Sequence, residues 1–175
     1  MPRLAAAGLA LAIAGSALAT PAFADSDEAF FQKVQGTWSG PGEVVAGKYK
    51  GTKFVCTFDG ERPSKSVGVA LDGSCRVGLF SQPMRAEVVR SGKTYRGAFQ
   101  DGAKGRGLDI VSGNVDGDKM IVGLDRKQLK GAIIAHLDDA DTIAITVSVR
   151  VASEYVPVIG MSLKRTGMRQ SALAQ

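Results

Sequence analysis

A chain of 175 residues with 22 Lys and Arg against 17 Asp and Glu is of a length for one domain with its own core. A single histidine and two cysteines are too few to build a zinc site, and aromatics at 6 % offer no stacking platform interleaved with basic residues, which sets nucleic acid aside. The two signs are interspersed, as in "KQLKGAIIAHLDDAD", which is the pattern of a mixed solvated surface and not of a block aimed at a polyanion.

Residues 1–24, "MPRLAAAGLALAIAGSALATPAFA", read as a secretory signal peptide. Arg3 supplies the positive start, Leu4 to Leu18 the apolar run, and Ala22-Phe23-Ala24 the small-residue cleavage pattern. The run is shorter than the ~20 residues that span a bilayer. Export to the periplasm or beyond the cell is therefore expected, with cleavage near Ala24, a single soluble domain over 25–165 and a loose tail over 166–175. No later stretch is apolar enough for a membrane helix. An outer-membrane barrel is disfavoured, because the would-be lipid faces carry charges and glycines.

"DSDEAFFQKVQ" predicts the one helix, over 25–34. Asp25 or Ser26 would cap it, acidic residues fill its first turn, and Phe30, Phe31 and Val34 fall on one side. Gly36 stops it. Everything beyond is punctuated by turn pairs: Asp59-Gly60, Asp72-Gly73, Ser91-Gly92, Asp101-Gly102 and Asp116-Gly117. Between them lie strand candidates at 37–46, 50–58, 66–71, 75–80, 84–90, 93–99, 106–115, 118–124, 130–137, 141–151 and 155–165, with one or two neighbours expected to fuse.

Alternation is clearest in "TIAITVSVRV", where Ile143, Ile145, Val147, Val149 and Val151 share one face. Met84, Ala86 and Val88 do the same opposite Arg85 and Glu87, and Tyr95, Gly97 and Phe99 share a face in "KTYRGAF". Consecutive antiparallel strands with one buried face resolve their edges by closing on themselves. The fold class expected is all-β, an antiparallel meander closed into an eight- to ten-stranded barrel with a short N-terminal helix. An open sandwich is the alternative.

The first strand, "GTWSGPGEV", carries the only tryptophan, Trp38, on a face with Gly40, Gly42 and Val44. Glycines there signal a bend or a close approach, and Pro41, which lacks a ladder donor, calls for a bulge or local edge. The expectation is a large ring plugging one end of the face and room for a bound molecule above Gly40 and Gly42. In the last strand, "YVPVIGMSLKR", the apolar phase Tyr155, Ile159, Met161 and Leu163 continues to Arg165. A cation in that phase needs a partner. If the first and last strands meet, Arg165 lies over the Trp38 ring as a cation–π pair.

These pieces together (the 25–34 helix, Gly36-Thr37-Trp38, and Arg165 or Lys164) resemble the lipocalin-like barrels of the calycin superfamily. The resemblance implies a helix closing one barrel end, a structural role for Trp38 and Arg165, and a small apolar ligand or lipid inside. A second lipocalin motif is not found mid-chain, and the several pocket tryptophans of the avidin relatives are missing. A looser similarity links the early Trp and short bridged loop to periplasmic protease-inhibitor barrels.

Cys56 and Cys75 would travel to an oxidising compartment, where an even count suggests a bridge; two buried free thiols are the alternative. Cys56 shares its face with Phe54 and Phe58, and Cys75 with Val77 and Leu79, which fits an inward bridge between nearby strands. His136 shares phase with Ala132 and Ile134, so an inward general base with Asp138 or Asp139 as its orienting partner is conceivable, but a hydrogen-bonded barrel-end histidine is the simpler reading. Asn114, Asp116 and Asp118 imitate a calcium loop but lack its sixth-position Gly and its closing Glu, so they read as a hairpin turn. Asp138, Asp139 and Asp141 likewise read as a charged turn, and "GAKGRG" (102–107) as a loop at a barrel mouth.

No catalytic residue, metal or cofactor is assigned. Three functions compete: a carrier of a small apolar ligand or lipid, a module binding an envelope protein, and, last, an enzyme built on His136. For the carrier, phase alone nominates Gly40, Gly42, Val44, Phe54, Phe58, Met84, Val88, Tyr95, Phe99, Ile145 and Val147 as lining residues.

Overall fold

In the computed structural model, which describes residues 23–64, 66–100, 108–126 and 129–167, the chain opens with helix α1 (Phe23–Lys33). The helix starts two residues earlier than the sequence suggests, so Asp25 and Ser26 lie inside it and not ahead of it. Ala24 is a strong helix former, and the nearest upstream breaker is Pro21. At the other end Gly36, at φ +109°, turns the chain out of the helix in a conformation that side chains resist.

Ten strands follow: β1 (Gly36–Val44), β2 (Lys53–Glu61), β3 (Gly68–Val77), β4 (Phe80–Ser91), β5 (Thr94–Gln100), β6 (Leu108–Asp116), β7 (Lys119–Arg126), β8 (Leu129–Asp139), β9 (Thr142–Val151) and β10 (Glu154–Gly167). Each pairs antiparallel with its sequence neighbours, and β1 pairs with β10, so the meander is a closed ten-stranded barrel. Closure removes both sheet edges. β10 runs to Gly167, two residues into the expected tail; residues 1–22, 168–175 and the 101–107 loop lie outside the described residues.

The turn pairs divide. Ser91-Gly92 and Asp116-Gly117 sit at hairpins, with φ +65° and +57° at the glycines. Asp59-Gly60 and Asp72-Gly73 instead lie inside β2 and β3, so the candidates at 66–71 and 75–80 are one strand. A side chain at Gly60 would strike the carbonyl of Val34 at the end of α1, and one at Gly73 would strike Thr57 and Phe58. Both glycines answer a close approach and not a turn. The hairpin after β3 falls at Gly78-Leu79, and β4 begins at Phe80.

Pro41 makes no bulge. It stands opposite Val55, and pairing with β10 lapses at Gly40 and Pro41 and resumes at Gly42 in the same register. The β1 irregularity falls instead between Thr37 and Trp38. A second one, between Pro157 and Ile159, reverses the phase of β10. Tyr155 therefore faces outward, 54 % exposed, while Val156 lies opposite Val149.

Cys56 and Cys75 face each other across β2 and β3 and form a disulfide, Cα to Cα 4.0 Å. Cys56 is fully buried. Closing a loop of this length is worth about 3 kcal/mol through the unfolded chain. Urea unfolding under reductant, or of Cys56→Ser/Cys75→Ser, is expected to show a loss of that order; an unchanged midpoint would contradict it.

Candidate ligand-binding cavity

The two barrel ends are built differently. The helix end collects the β4–β5, β6–β7 and β8–β9 turns and the end of β10. Phe30 and Phe31 of α1 and Val34 just after it are buried there, with the Phe31 and Tyr95 rings 5.4 Å apart. Salt bridges from Lys33 to Asp118 (2.7 Å) and Arg62 to Glu28 (2.8 Å) hold the helix from outside.

Trp38 is the floor. It is buried, and its Nε1 donates to the Val34 carbonyl at 3.0 Å. The Arg165 guanidinium lies over the indole, 4.2 Å from the ring centre. The same guanidinium donates to the carbonyls of Gln35 (2.6 Å), Lys33 (2.7 Å) and Ala140 (2.9 Å). The carbonyls at a helix C-terminus lack intrahelical partners and carry partial negative charge, so a cation there both caps α1 and covers the tryptophan.

A second anchor is Asp27, which accepts from the Tyr95 hydroxyl at 2.6 Å and forms an ion pair with Arg90. Burial, then the bond to Asp27, pushes the Tyr95 phenol up to about 12. The folded state thus favours the neutral phenol. That contribution is complete below ~10, the unfolded value, and is lost as pH rises through about 12. Stability measured across this window is expected to fall, and to fall less in Tyr95→Phe; identical slopes would refute the assignment.

Above the floor the interior holds an apolar cavity of about 140 Å³. Six nominated residues line it: Phe58, Met84, Val88, Phe99, Ile145 and Val147. Five do not. A side chain at Gly40 would meet the β10 backbone at Ser162 and Leu163, and the space at Gly42 is filled by the Phe54 ring from the facing strand. The room expected above the two glycines is therefore already occupied, by backbone and by Phe54. Val44 lies beyond the cavity wall, and Tyr95 is engaged with Asp27.

The phase argument overlooked Phe30 of the helix and Val34 just after it, Val69 and Leu71 of β3, Ile110, Met120 and Val122 of β6 and β7, Ile133 and Ala135 of β8, and Met161 and Leu163 of β10. Met161 and Leu163 had a visible signal, since they belong to the apolar phase of the last strand. Ile133 and Ala135 did not, because "GAIIA" is apolar in both phases. The β8 phase is settled by β9, where Ile133, Ala135 and Leu137 stand opposite Val147, Ile145 and Ile143. His136 consequently faces solvent, against the inward placement its phase suggested, and bonds Asp138 at 2.8 Å on the outer surface.

The charged wall residue Arg85 turns its guanidinium outward to Asp72. Asp118 pairs with Lys33, which holds its carboxyl below the usual range, and Asp139 accepts from the Asp141 amide and the Thr142 hydroxyl in the β8–β9 turn. Among the described residues no three His, Cys, Asp or Glu side chains converge as a metal site would require, and no helix is long and apolar enough to cross a membrane. The site can exclude water and hold hydrocarbon.

No family model and no curated protein matches the chain. Among solved structures, the crystal structure of Rv2717c from M. tuberculosis is similar in fold, with a TM-score of 0.61 over 80 % of this chain and 97 % of that one at 12 % identity. At that identity the likeness extends to the barrel alone.

Proposed function

We propose that the protein is an exported barrel that holds a slim apolar molecule, with a lipid acyl chain the best-fitting chemistry. The observation that carries this reading is the apolar cavity of about 140 Å³, close to the ~150 Å³ of an engineered cavity that holds benzene. Ligand pockets commonly measure ~300–1,000 Å³, so a larger guest requires the walls to move. Met84, Met120 and Met161, all the methionines among the described residues, line the cavity. Unbranched thioether chains change rotamer at low cost, which suits an expanding pocket.

The closed end is read as lipocalin-like in its parts: a helix plug, a Gly-x-Trp floor and an arginine over the ring. Export is supported by the leader pattern and by the anchors Asp27, Phe30, Phe31, Lys33 and Val34, all of which follow Ala24 and would survive cleavage there.

The test is protein purified from the periplasm of expressing cells, analysed by native mass spectrometry and titrated with a fluorescent fatty acid. A co-purified small molecule, or one-to-one binding with enhanced fluorescence, is expected. Empty protein that also leaves the probe unenhanced would sink the proposal.

A further inference from the structure

The barrel end opposite the helix joins two kinds of side chain. The β3–β4 hairpin carries Leu79 and Phe80 at its tip, 99 % and 84 % exposed, two large apolar residues side by side in solvent. The neighbouring β1–β2 loop adds Tyr49, 66 % exposed, and the β9–β10 hairpin beyond it adds Val151 and Tyr155. Isolated apolar residues on a surface are ordinary, whereas a cluster on adjoining turns at one end marks a contact.

Cations surround this cluster. On the same three turns and their flanks lie Lys48, Lys50, Lys53, Arg76 and Arg150, against Glu43 and Glu154. At the helix end Asp118, Asp138, Asp139 and Asp141 lie close together, while Arg62, Arg90 and Lys93 occupy the neighbouring turns, so the two signs are mixed there. An excess of cations on these three turns turns this rim toward a negative surface.

We infer that this rim docks on an anionic phospholipid bilayer, with Leu79 and Phe80 entering the headgroup boundary and the flanking Lys and Arg engaging lipid phosphates. Charge complementarity chooses this occupant. Apolar tips flanked by basic residues match an interface that is apolar within and negative at its surface. A soluble acidic partner would account for the cations but would not require two adjacent apolar residues at the extremity of a hairpin. The docking surface stands apart from the ligand reading, because it needs nothing from the cavity.

The test is co-sedimentation of the mature protein with vesicles of phosphatidylcholine alone and of phosphatidylcholine mixed with phosphatidylglycerol. Binding to the mixed vesicles is expected, falling with added salt. It is expected to drop roughly tenfold or more in Leu79→Ser/Phe80→Ser and in Lys48→Glu/Lys50→Glu. All four positions are exposed, so circular dichroism should be unchanged. Wild-type protein that leaves both vesicles protein-free, or variants that bind as well as wild type, overturns the inference. So does a wild-type dimer that Leu79→Ser/Phe80→Ser dissociates in the absence of vesicle binding, which would assign the rim to a second copy of the chain.

Discussion

Arg165→Ala is expected to lower stability by about 3 kcal/mol, a large effect for a residue at the end of the last strand. Three contributions leave together. The cation over Trp38 accounts for up to ~2 kcal/mol when desolvated. Hydrogen bonds from a charged donor to the Lys33, Gln35 and Ala140 carbonyls are worth about 1.5–3 kcal/mol each when removed singly, and they are not additive. The ion pair with Asp141 adds little, since that carboxylate is exposed. Arg165→Lys keeps the charge near the helix C-terminus, but an ammonium cannot reach several diverging carbonyls while lying flat on the indole. It should recover less than half of the loss. Urea unfolding followed by fluorescence reads the effect directly, because Trp38 is the only tryptophan. A loss below about 1 kcal/mol would show that the helix and Trp38 close the barrel without the arginine.

Ala135→Leu is expected to abolish interior binding without harming the fold. Ala135 lines the cavity from the middle of β8, and leucine adds three carbons to a space of about 140 Å³. Each buried CH₂ is worth about 0.8 kcal/mol, so the filled barrel should match or exceed the wild type in stability. Affinity for the fluorescent fatty acid should fall more than about tenfold, which is ~1.4 kcal/mol. Ala86→Val, from the facing wall on β4, provides a smaller filling and should give an intermediate affinity. Undiminished binding in two stable variants would move the ligand off the interior.

Legibility in the sequence followed how one-sided each strand is. β9 alternates without exception, so its inward residues could be read directly, and Met84, Ala86 and Val88 of β4 were equally plain. β8 is apolar on both phases, and its inward face was legible only through its partner, so phase left an inward His136 open beside the simpler hydrogen-bonded reading that its contact with Asp138 matches. Tyr155 was misplaced by a bulge that no residue spacing announces. Asp-Gly pairs are strong turn signals, yet at Gly60 and Gly73 the same residue serves a backbone contact with a distant element.

By itself the sequence determined an all-β meander with one helix, the leader pattern, the cysteine pair, and the meeting of Trp38 with Arg165. Each follows from local preference or from the period of side chains along a strand. The tertiary structure decided where space remains. Whether a glycine leaves a void depends on what lies opposite, and here Phe54 and the β10 backbone fill the places that Gly42 and Gly40 vacate. It also decided where charge gathers. Lys48, Lys50, Arg76 and Arg150 are dispersed along the chain, and barrel closure alone brings their turns to one rim beside Leu79 and Phe80. Cavities and surface fields belong to residues remote in sequence, so only the pairing of strands creates them.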